Sequence, residues 1–112
     1  MVVSVSPAEK FRDYIFKPGA THGKDRVFRS LGYGASHALE LAVLVEQQAA
    51  DKYVNQDFSF GLSDEHGQRI SIEIELPGIG EHMGQRSHLI SGWMIRSDGS
   101  ITLNTPFSGF AR

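Results

Sequence analysis

Apolar residues recur along this chain with two different periods, and the change falls after Asn55. Before it the spacing is three to four. Ser6-Pro7-Ala8-Glu9 has the makings of a helix start: a capping serine, a proline suited to the first helical position, and a glutamate placed for a capping box. Phe11, Tyr14 and Ile15 then share one helical face, and Pro18-Gly19 ends it. After a short loop, Lys24 to Leu31 reads as a second helix with Val27, Phe28 and Leu31 inward and Gly32 as its stop. Ser36 to Tyr53 is the clearest helix. Its stripe is Ala38, Leu41, Ala42, Val45, Ala49 and Tyr53, widened by Leu39, Val43 and Leu44, with Ser36 as the expected cap.

Past Asn55 the period is two. Phe58 to Ser63 predicts a strand, and Asp64-Glu65-His66-Gly67 a turn. Ile70, Ile72, Ile74 and Leu76 alternate with Ser71, Glu73 and Glu75, the pattern of a half-buried antiparallel strand. A glycine-rich loop follows from Pro77 to Gln85. Ser87 to Arg96 and Ile101 to Phe107 are the remaining strands, joined at Ser97-Asp98-Gly99-Ser100 by an Asp-Gly hairpin turn. The tail from Ser108 to Arg112 is expected to fray or to cover an edge. The predicted architecture is α+β: N-terminal helices packed on one face of a four-stranded, or slightly larger, antiparallel sheet.

At 112 residues the chain is read as a single domain, 1–112. Forty per cent hydrophobic residues suffice for a core. The absence of cysteine excludes disulfide staples, thiolate metal sites and thiol nucleophiles. No apolar run reaches the roughly 20 residues of a membrane span, and Met1-Val2-Val3-Ser4-Val5 is too short and uncharged for a secretory signal. The net charge of −2 hides an uneven distribution. Residues 1–30 carry +3, residues 31–85 carry −7 and residues 86–112 carry +2. Two basic ends that met in space would form a positive surface suited to a polyanion.

Chemistry concentrates first in Thr21-His22-Gly23-Lys24-Asp25-Arg26, at a loop-to-helix junction. A histidine there can exchange a proton near neutral pH, and Lys24 and Arg26 can hold phosphate oxygens beside helix N–H groups. The alternative is a set of solvated helix residues. Of the five histidines (His22, His37, His66, His82, His88), none lies in an HxxxH pattern. His82 and His88 with Glu81 have the nearest metal-like arrangement, and neither metal nor cofactor is expected. Glu73 and Glu75 share a strand face, which fits a solvated surface better than a catalytic pair, or a surface that meets a partner. Trp93 alternates with Leu89, Ser91 and Ile95, which fits core packing first and base stacking second. Thr102, Asn104 and Thr105 precede Pro106 on the last strand, where a hydroxyl can bond a phosphate.

From Thr21 through Tyr33, at Gly67-Gln68-Arg69-Ile70, at Ser91-Gly92-Trp93-Met94-Ile95 and from Asp98 through Phe107, the chain resembles the C-terminal toxin domains of bacterial polymorphic toxins, in particular contact-dependent growth inhibition effectors. The resemblance spans roughly residues 7–110. It implies a barnase/EndoU/colicin/RelE-like fold with the active site in the cleft between helices and sheet. It implies a metal-independent ribonuclease, with tRNA the expected substrate, and a cognate immunity protein that blocks the site. Carried over by residue, His22, Lys24 and Arg26 form the helical wall and Trp93 and Thr105 the sheet wall. His22, Lys24 and Thr105 would be catalytic, and Arg26, Arg86 and Trp93 would bind RNA. On this reading Met1 is not the natural start. The domain would be exported as the end of a larger effector and act in the cytoplasm of the target bacterium. The competing expectation is a non-catalytic interaction module, immunity-like or adaptor, that uses the acidic centre at Glu73, Glu75 and Glu81.

Overall fold

The residues with period two pair into one sheet, and those with period three to four cover one side of it. The computed structural model describes residues 4–5 (backbone only), 8–19 and 23–111. The strands are β1 (Ser4–Val5), β2 (Ser59–Asp64), β3 (Gly67–Pro77), β4 (Arg86–Ile95) and β5 (Ile101–Phe110), in the spatial order β1-β5-β4-β3-β2. The four long strands are antiparallel neighbours, and β1 adds two residues parallel to β5 at Ile101 and Thr102. The helical layer consists of a short π-helical segment (Phe11–Ile15), α1 (Asp25–Arg29) and α2 (Ala38–Val54). The α+β class read from the sequence is therefore the observed one.

The register explains which side is covered. Ile70 lies opposite Trp93, Ile72 opposite Ser91 and Ile74 opposite Leu89. All of these are buried, as are Leu76, Ile101 and Leu103. From α2, Ala38, Leu41, Ala42, Val45 and Ala49 pack into the same core. Each large aliphatic side chain so buried contributes about 1.5–3 kcal/mol. Phe28 meets Phe11 and Phe16 edge-on, with centroids 5.9 Å apart in both pairs. Among the described residues, the Ser91 side chain is the polar one fully inside the core. The Ser91 hydroxyl donates to the Ile72 carbonyl at 2.8 Å and accepts the Trp93 indole N–H at 2.8 Å. Both polar groups are thus satisfied in a dry environment.

Several expectations change. The tail does not fray: β5 continues to Phe110, which pairs with Leu89, and the Ala111 N–H donates to the His88 carbonyl. A bulge between Leu103 and Thr105 and the left-handed Gly109 (φ +151°) let the strand bend without losing β4. Leu39 and Val43 face outward on α2 rather than widening its buried stripe. The lead-in to α2 is closed by the His37 ring, whose Nδ1 accepts the Gly34 N–H at 3.0 Å, not by Ser36. The two N-terminal helices are shorter than their apolar periodicity suggests, and Ser6 and Pro7 lie outside the described residues.

Gln48 and Tyr33 tie the helical layer to the far end of β3. β2 pairs only with the first part of β3, so the backbone of Glu75 has no strand on that side. The Gln48 amide fills the gap, donating to the Glu75 carbonyl at 2.7 Å and accepting its N–H at 2.8 Å. Tyr33 donates its hydroxyl to the Pro77 carbonyl at 2.7 Å. Gly32 is required beside it. Its φ is +96°, and a Cβ would stand 2.6 Å from the Ile79 carbonyl oxygen.

Burial, and secondarily the charge of Glu40, pushes the Tyr33 phenol above its usual range. A raised folded value means that its contribution is intact below the ordinary tyrosine range, about pH 10, and is lost as pH rises beyond it. Tyr33→Phe is expected to be less stable at neutral pH but to show a shallower alkaline fall in unfolding midpoint, measured by urea titration across pH. In the core, Ser91→Ala leaves the Trp93 N–H without a partner. The expected loss is about 1–3 kcal/mol in chemical unfolding at pH 7.

Candidate functional site

Alternation along β3 sends Arg69, Ser71, Glu73 and Glu75 to the face away from α2, and the register places Met94, Gly92, Ile90 and His88 opposite them on β4. No described helix covers this face. Its middle is a shallow trough of about 220 Å³, lined among others by Arg69, Ser71, Gly92, Asn104, Thr105 and Ser108. The trough exists because Gly92 has no side chain. A Cβ there would stand 2.8 Å from the Thr105 methyl, which also shows that Thr105 shares this face. A larger hollow of about 420 Å³ lies at the end of the sheet between the 64–67 turn and Ile95–Ser97. We place the site at the trough because charged groups converge there from separate elements.

Lys24 provides that convergence. Its ammonium donates to the Thr105 hydroxyl at 3.4 Å, across 81 positions of sequence, and lies 5.2 Å from the centre of the Tyr14 ring. Among the described residues β1 pairs with β5 at Ile101 and Thr102 and not at Thr105, where Lys24 reaches the strand. Of the five residues expected on the two facing walls, Lys24 and Thr105 are in contact. The other expectations fare differently. His22 lies outside the described residues. Arg26 is exposed on α1, its side chain folded back near Gly23. The helix N-terminus expected to hold an anion belongs to a five-residue α1, too short to sum a useful dipole. Asp25 pairs with Arg29 at 2.8 Å.

Trp93 is 0% exposed and gives its N–H to Ser91, so it is a core residue and cannot present a ring face to a base. Arg86 lies on the open face, but six residues along β4 from Gly92, about 20 Å away, where it pairs with Glu75 at 2.9 Å. The same end holds a contact that sequence reading missed: His88 Nδ1 lies 3.2 Å from Glu73 Oε2. Both residues were visible as strand-face positions. What the sequence lacked was the pairing register that sets β4 against β3. Among the described residues, no three His, Asp or Glu side chains gather as metal ligands, and His88 turns to Glu73 rather than to His82.

A model of the family described as "Domain of unknown function (DUF6883)" matches residues 3–106. The chain belongs to that family. The description assigns the family no activity. No curated protein and no solved structure matches the chain.

The geometry of the trough makes a direct prediction. Gly92→Ala forces Thr105 to turn away, with a cost of about 0.5–1.5 kcal/mol if it leaves a staggered rotamer. The Thr105 methyl and Lys24 amide resonances are expected to move while those of α2 stay. Unchanged Thr105 and Lys24 resonances would show that the contact across the trough does not depend on this glycine.

Proposed function

We propose that this chain is a metal-independent ribonuclease of the barnase/EndoU/colicin/RelE-like kind. It would be the toxin domain of a larger exported effector, acting on tRNA in the cytoplasm of a target bacterium and blocked by a cognate immunity protein. The observation that supports this best is the Lys24–Thr105 contact at the edge of a polar trough. A phosphodiester seated there would have an ammonium beside its non-bridging oxygens and a hydroxyl to hydrogen-bond them. Attack of a 2′-hydroxyl on the adjacent phosphorus concentrates negative charge on those oxygens, and a fixed cation stabilises that charge more than it stabilises the resting diester. The products are a 2′,3′-cyclic phosphate and a 5′-hydroxyl. Proton transfer falls to a histidine, and His22 stands two residues before Lys24 in the chain. Arg26 and Arg86 would hold phosphates on either side. Trp93 has no part in contacting RNA.

The interaction-module reading has less support. Glu73 and Glu75, two of the acids it needs, are each engaged on the same sheet face, Glu75 by the Arg86 guanidinium and Glu73 by the His88 ring. As for membranes, no helix among the described residues is long and apolar enough to cross one.

The test is incubation of the purified protein with total bacterial RNA in EDTA, followed by a denaturing gel and end-group analysis. Discrete tRNA fragments ending in cyclic phosphate are expected. Lys24→Ala should lower the cleavage rate by about 10²–10³-fold, the scale of losing one charge-stabilising group. Intact RNA from a folded wild-type protein would remove the ribonuclease reading.

A further inference from the structure

The end of the open face away from Thr105 carries a group for which the trough has no use. On β4, Arg86 and His88 stand two residues apart, and on β3 so do Glu75 and Glu73. The pairs are Arg86 Nη1 to Glu75 Oε1 at 2.9 Å and His88 Nδ1 to Glu73 Oε2 at 3.2 Å. None of the four is buried: the His88 and Glu73 side chains are 47% and 43% exposed. Cross-strand pairs of opposite charge commonly stabilise sheets. This set has chemistry beyond that role. With Nδ1–H donated to the Glu73 carboxylate, the His88 tautomer keeps its lone pair on Nε2, which has no partner among the described residues. Arg86 uses one of its five N–H donors on Glu75 and has others for a phosphate.

We infer that His88 is the proton-transferring catalytic residue of the open face, with Glu73 as its positioning residue and Arg86 as the ligand of the reacting phosphate. The inference rests on the ribonuclease reading and moves both its reacting phosphate and its proton chemistry from Lys24–Thr105 to the Arg86–His88 end, so that Lys24→Ala weakens the grip on the strand rather than the chemical step. Four residues of β4 separate His88 from the position facing Thr105, about 13 Å. That is too far for both to serve one phosphorus. A single RNA strand laid along β4 would therefore react at His88 while Lys24 and Thr105 grip its backbone further on. In the step, His88 Nε2 takes the proton of the 2′-hydroxyl. The 2′-oxygen bonds to phosphorus and the bond from phosphorus to the 5′-oxygen breaks. The leaving 5′-oxygen takes a proton from water, and His88 later returns its own to solvent.

The test compares wild type with His88→Gln, Glu73→Gln and His22→Ala in the EDTA cleavage assay, with unfolding midpoints measured alongside. His88→Gln is expected to lose about 10²–10⁴-fold in rate with its midpoint retained. Glu73→Gln should lose less, and ring-nitrogen NMR should show His88 changing from a single tautomer to a mixture, which a purely structural salt bridge would not predict. An independent arm titrates uridine 3′-monophosphate into wild type, where His88 ring and Arg86 side-chain resonances are expected to shift together. Full activity in His88→Gln beside an active wild type overturns the inference and leaves the ribonuclease reading standing, as does a nucleotide titration that moves neither residue. A folded wild type that cuts no RNA is the failure of the ribonuclease reading itself, and this inference falls with it.

Discussion

Burial of the alternate residues of β3 is the constraint from which the rest follows. Ile70, Ile72, Ile74 and Leu76 must face α2 to leave water. A strand has only two faces, so Ser71, Glu73 and Glu75 are committed to the other one. A slip of one residue would bury two glutamates and expose the isoleucines. The open face is thus the fixed reverse side of the core, and its side chains keep their spacing because the core does.

The same constraint accounts for the polar pair inside. Opposite Ile72 stands Ser91, and two positions along β4 stands Trp93. An indole in a dry core needs an acceptor, and the serine supplies one while donating its own O–H to the Ile72 carbonyl. Trp93 is thereby bound into the sheet and withdrawn from surface chemistry. Where pairing runs out, other groups complete the edges. Gln48 stands in for a missing strand at Glu75, and Lys24 reaches β5 at Thr105.

Function, as proposed, draws on two separate features of this reverse side. The trough is a void left by Gly92 between polar neighbours, approached by one cation from the helical layer. The Arg86–His88 end is a pair of cross-strand contacts to Glu75 and Glu73, with one imidazole nitrogen that has no partner among the described residues. Membership of a family without an assigned activity leaves both to be judged on their chemistry. The two basic ends contribute at separate places, Lys24 at β5 beside Thr105 and Arg86 at the far end of β4 against Glu75.

The sequence by itself determined the α+β order of helices then strands, most of the helical stripe of α2, the hairpin at Asp98-Gly99 and the inward set of β3, because those depend on local periodicity and turn chemistry. Lys24 and Thr105 came together only through what the toxin-domain resemblance implies, as residues of two facing walls. The sequence could not decide element ends, since α1 and the tail are set by what packs on them: β5 extends to Phe110 only because β4 offers backbone partners that far. Nor could it choose between core and surface for Trp93, because both suit a tryptophan on an alternating strand. The His88–Glu73 contact lay beyond it for the same reason. Fifteen positions separate the two residues, and only the register between β3 and β4, enforced by burial on the opposite face, brings the ring to the carboxylate.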